Sequence, residues 1–244
     1  MAIVFGIHAV EAALKQSSVA ELWLAQGQRP NARLARLTDE ARRAGVRVVQ
    51  HPREALDELA QGERHQGVVA HLEGQSAPRQ RDLMQLLDAL DHPPFLLVLD
   101  GVTDPHNLGA CLRSANAAGV DAVIVPKDKA AGLTPVVRKV ACGAAEMTPF
   151  YQVTNLARTL RELQQAGVWL VGAAGEAEAS LYETDLRGPL ALVLGSEGKG
   201  LRRLTREHCD LLVKIPMAGQ VESLNVSVAT AVCLFEALRQ RRLG

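Results

Sequence analysis

Three stretches of this chain combine polar side chains with glycines in a way that suggests chemistry. The first is DGVTDPHNLGACLRSANAAG, residues 100–119. Its Asn107 can either cap a helix or offer an amide to a ligand. Arg113 interrupts a small, apolar helix face made by Ala110, Cys111, Ala115 and Ala117. An Arg there must meet water, a carboxylate or an anion such as phosphate, which suits its planar fork. The second is LVLGSEGKGL, residues 192–201, where an apolar run ends in Gly195, Gly198 and Gly200. Glycines permit positive φ and close approach of a ligand, though a plain turn accounts for them equally. Glu197 within that turn can take a cation, a ribose hydroxyl or an Arg. The third is IPMAGQVESLNVSVATAVCLFEALRQRR, residues 215–242, in which Ser223, Leu224 and Asn225 precede a long apolar helix.

The elements that must position these residues follow from periodicity. Unalternating apolar runs occur at 95–100, 121–126, 169–174 and 190–195, with a similar run at 211–216 carrying one Lys. Such runs read as strands buried on both faces of a parallel sheet. Helical stretches are expected at 108–118, 134–142, 155–166, 201–207 and 226–242. Open α/β sheets bind ligands at the carboxyl ends of their strands, where all three motifs lie. Residues 1–72 form a smaller α/β block. Strands are expected over 4–7, 21–25, 46–49 and 67–72. Helices are expected over 8–16, 32–44 and 53–59, the second capped by Asn31 and stopped by Gly45. The polar GQSAPRQRD, a short helix over 82–91 and the HPP at 92–94 make 73–94 the expected link. The catalytic domain then spans 95–244.

Bulk properties narrow the classes. Lys plus Arg and Asp plus Glu are 27 each, so no indiscriminate nucleic-acid coat is expected, while local basic patches remain possible. The four cysteines form no CxxC pair and the seven histidines are scattered, so neither a disulfide framework nor a metal site is expected. No signal sequence is expected from the N-terminal residues and no apolar run reaches bilayer length, so a cytoplasmic protein with no membrane partner is expected. The glycine-rich turn is neither GxGxxG nor a GK[ST] phosphate loop, which disfavours a nicotinamide-dependent oxidoreductase and a nucleotide triphosphatase.

The joint order of NLGACLRSA, LVLGSEGKGL and IPMAGQVESLNVSVATAVCLFEALR resembles the SpoU/TrmH family of RNA ribose 2′-O-methyltransferases, within the SPOUT superfamily. The resemblance covers the catalytic half. FGIHAVEAAL and HQGVVA extend it to an N-terminal domain similar to ribosomal protein L30e that binds RNA. VPKDKAA, VACGAAE and LTREHCD narrow it to members that methylate a guanosine in the P-loop of bacterial large-subunit rRNA. The resemblance implies a C-terminal SPOUT α/β domain with a parallel sheet and a deep trefoil knot over 190–230. It implies S-adenosylmethionine as cofactor, held through Gly195, Ile215 and Leu224, with Gly175 bordering the pocket. It implies catalytic roles for Asn107, Arg113, Glu197, Ser223 and Asn225.

Arg113 would act either as general base or as a cation that clamps phosphate and stabilises the alkoxide. The latter suits the delocalised, lasting charge of a guanidinium. His106, beside Asn107, is a further candidate. The implied partners are large-subunit rRNA and a second copy of the chain, met through the apolar helix; no DNA is expected. Arg29, Arg33, Arg36, Arg42 and Arg43, with the turn His65-Gln66-Gly67, are candidate RNA contacts or a solvated helix face. The alternatives are methylation of a tRNA guanosine and a noncatalytic RNA-binding protein.

Overall fold

A computed structural model describes residues 3–15, 19–27, 31–60, 64–72 and 80–243. Arg29 and the first part of the expected link, 73–79, lie outside the described residues. The chain packs as two compact units, one of 1–76 with 133–147 and one of 77–132 with 148–244.

In the first unit the order is β1 (Ile3–Phe5), α1 (Ile7–Lys15), β2 (Val19–Ala25), α2 (Ala32–Arg43), β3 (Arg47–His51), α3 (Arg53–Leu59) and β4 (Val68–Leu72). The strands form a sheet in the order β1-β4-β2-β3. Its pairs are antiparallel except for β2 with β3. Asn31 caps α2, its side chain accepting from the Arg33 and Leu34 amides. The apolar stripe of α2, Leu34, Leu37 and Ala41, joins Val10, Leu22 and Val68 in the core, as an amphipathic helix on a sheet must.

The second unit begins with α4 (Gln80–Ala89), β5 (Phe95–Asp100), α5 (Pro105–Ala118) and β6 (Ala122–Pro126). The chain then leaves it for α6 (Pro135–Ala141) and α7 (Ala144–Met147), and returns through β7 (Phe150–Val153), α8 (Leu156–Gln165), β8 (Trp169–Ala173), β9 (Ala179–Ser180) and β10 (Leu190–Gly195). It closes with α9 (Arg203–His208), β11 (Leu211–Lys214) and α10 (Val226–Leu243). The sheet order is β7-β6-β5-β10-β8-β11-β9, and its pairs are parallel. The long apolar runs are its central strands: β5 and β6 are buried throughout and β10 in all but its last residue, Gly195. Leu96, Val98, Ala191 and Val193 face a cluster supplied by Leu83 and Leu87 of α4 and by Leu156, Leu160 and Leu163 of α8.

Two features depart from the expected division. The second half of the expected link is α4, whose Leu83 and Leu87 belong to the core of the second unit. Residues 133–147, expected within the catalytic domain, pack with the first unit, α6 on β1 and α1 and α7 on α1. Gly143 permits this. It has φ +93°, and a Cβ there would lie 2.7 Å from the Ala12 Cβ.

Removing a buried leucine leaves a cavity, so Leu160→Ala should lower the unfolding free energy by about 2–5 kcal/mol in urea titrations. A loss below about 1 kcal/mol would contradict this packing. The thiols give a second check. Burial pushes Cys111 up to about 11 and Cys233 and Cys209 up to about 12, while Cys142 is exposed. An Ellman titration at pH 8 should show one fast thiol in the native protein, removed by Cys142→Ser, and four after denaturation.

Candidate active site

The site is built where β5, β8, β10 and β11 end. β5 pairs with β10 in register up to Asp100 beside Gly195, so the loops leaving these two strands start side by side. After β5, Asp104 caps α5 by accepting the His106 amide at 2.9 Å, and Pro105 opens the helix. The cap is therefore Asp104 and not Asn107. Asn107 sits in the first turn, nearly buried, with its side chain available for other bonds.

After β10 the chain folds into a closed turn. Ser196 and Gly200 exchange backbone bonds of 3.1 and 2.9 Å. Gly198 (φ +71°) and Gly200 (φ +61°) adopt left-handed conformations. Gly195 has no room for a side chain, because a Cβ would overlap the Gly200 carbonyl group. The turn holds Glu197 out at its tip. Asn225 stands at the start of α10, where its Oδ1 accepts from the Ser227 amide at 2.9 Å.

These three side chains meet. The Asn107 amide donates to Glu197 Oε1 at 3.0 Å, and the Asn225 amide donates to Asn107 Oδ1 at 3.0 Å. Asn225 also donates to the same Glu197 oxygen. One carboxylate thus holds two amides, one from the first turn of α5 and one from the residue before α10, and the two helices are tied again by Cys111 to Thr230 at 3.4 Å.

Two adjoining cavities share Ser196, Glu197, Gly200 and Val226 as walls. The larger, about 670 Å³, lies across the ends of β8, β10 and β11. Gly175, Gly195, Ile215 and Leu224 all line it, as do Ser223 and Asn225. Its carboxylates are Glu176, Glu197 and Glu222, and Val213 and Met217 add apolar surface. The smaller, about 490 Å³, is lined by Thr103, Asp104, Asn107, Lys129, Lys199 and Arg202, among others. Both volumes fall in the usual range for small-ligand sites.

Arg113 is not brought to this cluster. It is exposed on α5 and lines neither cavity. His106 is exposed as well. Asp100 and Lys129 lie inside quoted stretches without being singled out there, and Arg202 falls one residue past the glycine-rich motif. Their signal is weak in sequence, since Asp100 and Arg202 lie 102 positions apart and meet only through the β5–β10 pairing.

Among the candidate RNA contacts of the first unit, Arg33 is bonded to Glu11 at 2.7 Å and holds that carboxyl below the usual range. Arg36 lines an open cavity with Lys15 and Arg33. Arg42 is exposed beside Asp39 at 3.9 Å, and Arg43 donates to the Asp39 carbonyl at 3.3 Å. His65 is buried, accepts from the Gly67 amide at 3.1 Å and meets Asp57 at 2.9 Å, so it shapes its turn rather than presenting a ring to solvent.

Comparison with known proteins places these features. The model of the SpoU rRNA Methylase family matches residues 94–235, and that of the RNA 2′-O ribose methyltransferase substrate-binding domain matches residues 3–78. The 23S rRNA (guanosine-2′-O-)-methyltransferase RlmB of Shewanella oneidensis is 61% identical over 98% of both chains. The protein of the same name from Pseudomonas aeruginosa is 60% identical over 98% of this chain and 96% of its own. The SpoU methyltransferase AviRb of Streptomyces viridochromogenes, solved in complex with AdoMet, superposes with a TM-score of 0.82 at 25% identity, covering 99% of this chain and 91% of its own. By the match to its catalytic half and by relatives identical at three positions in five along the whole length, the chain belongs to the SpoU rRNA Methylase family.

Proposed function

We propose that this protein transfers a methyl group from S-adenosylmethionine to the ribose 2′-hydroxyl of a guanosine in the P-loop of 23S rRNA. The observation that carries this reading is the wall between the two cavities, where Asn107, Glu197 and Asn225 are bonded together. One side of that wall suits a cofactor and the other a nucleotide.

The larger cavity fits S-adenosylmethionine in size and chemistry. Its carboxylates Glu176, Glu197 and Glu222 suit a ligand carrying sulfonium and ammonium charges, and Ile215, Leu224 and Val213 give an adenine ring apolar contact. Gly195 and Gly175 keep the backbone accessible. The bound cofactor supplies an electrophilic methyl carbon. The chain's own residues do the rest. Asn107 and Glu197 border the nucleotide side and fix the ribose, while Asn225 locks both in place. Ser223 reaches the same cavity from the loop before α10.

A 2′-hydroxyl is a weak nucleophile, so developing negative charge on its oxygen needs stabilisation. Arg113 is given that task as a lasting cation that also grips substrate phosphate. Its exposed place on α5 suits a residue that meets RNA from solvent.

The reading includes a deep trefoil knot over 190–230 and a homodimer. The dimer is supported by Val228 and Phe235, two turns apart on α10 and about half exposed at 48% and 47%. No helix among the described residues is long and apolar enough to cross a membrane, and action on rRNA suits the cytoplasm.

The test is labelled methyl transfer to 23S rRNA lacking the modification. Wild type should label a single P-loop guanosine at its 2′-oxygen. Arg113→Ala should lose about a hundredfold or more in rate while keeping its affinity for S-adenosylhomocysteine. Label found only in tRNA would move the substrate, and RNA binding without transfer would favour a noncatalytic binder. Gly195→Ala, which pushes the 196–200 turn off β10, should abolish S-adenosylhomocysteine binding by calorimetry; unchanged binding would remove the larger cavity from the account.

A further inference from the structure

The smaller cavity holds three cations, Lys129, Lys199 and Arg202, beside Asn107 and Glu197. We propose that Arg202 and Lys129 form a subsite for a phosphodiester of the substrate RNA adjoining the target ribose. The proposal rests on the methyltransferase reading above.

Its foundation is Asp100, which is fully buried at the end of β5. Its Oδ2 accepts the Arg202 amide at 2.9 Å, while Oδ1 has no hydrogen-bond partner and lies 3.5 Å from Arg202 Nε. A buried carboxylate demands a nearby cation, so Asp100 fixes where the Arg202 guanidinium stands. Gly101 makes room for it. Its φ is +85°, and a Cβ there would come within 3.1 Å of Arg202 Nη2. The same Nη2 donates to the Lys129 carbonyl at 3.3 Å. Lys129 carries φ +57°, a strained conformation for a non-glycine residue that persists only where neighbours hold it. Arg202 holds it from one side, and the bond from the Ala131 amide to the Val102 carbonyl, 2.9 Å, holds the loop from the other.

The donors point to an anion. The carboxylates bordering this cavity keep their charge but have oxygens already engaged, Asp104 by the His106 amide and Glu197 by the two asparagine amides, and Asp100 offsets Arg202; among the described residues Lys129 and Lys199 have no carboxylate in ion-pair distance. Lys129 and Lys199, both exposed, line this cavity of about 490 Å³. An acceptor-rich anion complements them, and lysine binds phosphate as a point charge. Any ribose 2′-hydroxyl within an RNA strand has a phosphodiester on the neighbouring 3′-oxygen. A ribose set against Asn107 and Glu197 therefore carries its phosphate toward Lys129 and Arg202.

The experiment is steady-state methyl transfer on 23S rRNA at several salt concentrations, with Lys129→Gln, Lys129→Arg and Arg202→Gln. Lys129→Gln should raise KM for RNA about tenfold with little change in kcat. It should also flatten the log KM against log salt slope by about one. Lys129→Arg should restore both, and Arg202→Gln should raise KM in the same way. All three should bind S-adenosylhomocysteine as wild type does, and both Lys129 variants should melt within a few degrees of it, whereas Arg202→Gln leaves the buried Asp100 without its cation and should melt lower. An unchanged KM and salt slope in Lys129→Gln, with active wild type, overturns this subsite alone. Loss of S-adenosylhomocysteine binding would overturn it too, by making these residues supports of the cofactor cavity. A wild type that transfers nothing and binds no S-adenosylhomocysteine would overturn the methyltransferase reading beneath it.

Discussion

The site depends on one strand pairing. β10 inserts between β5 and β8, hydrogen-bonded in parallel to both. That places Gly195 against Asp100 and starts the turn 196–200 beside the loop that leads into α5. Neither loop makes a site by itself. Together, with the start of α10 laid across them, they enclose two cavities and share one wall. The pairing is driven by burial, since the interior positions of β5 and β10 are inaccessible to water on both faces of the sheet.

Backbone tightness then sets the fine geometry. Gly195 runs so close to the Gly200 carbonyl that no other residue fits, and the turn can only stand one way. Glu197 is thereby aimed at Asn107 and Asn225, and the amide–carboxylate network fixes the three side chains against one another. A preorganised polar cluster of this kind is what a reaction that builds charge on a ribose oxygen requires. Asp100 works similarly one step further in, fixing Arg202 from below.

Much of this was legible in sequence for a physical reason. Strands buried on both faces must be continuously apolar, so β5, β6, β8 and β10 announce themselves. β7 and β9 did not, because FYQV is mixed in character and a two-residue strand has no period to read. The residues Gly175, Gly195, Ile215 and Leu224 come from the family resemblance, and all four line the larger cavity. Composition could not decide whether Asn107 was a cap or a ligand; Asp104, three residues earlier, takes the cap and settles that local choice. Asp100 with Arg202 escaped notice because contacts across such separations leave no periodic trace. The placement of 133–147 with the first unit escaped for the same reason.

In the proposed mechanism Asn107 and Asn225 act as one unit through Glu197 at the wall between cofactor and ribose. A double-mutant cycle on single-turnover methyl transfer measures this directly, using Asn107→Ala, Asn225→Ala and the pair. Strong non-additivity is expected, with the double variant hardly slower than the worse single variant. Losses that simply add, with S-adenosylhomocysteine binding intact in all three, would mean that the two asparagines act independently and that the shared wall is not the catalytic element.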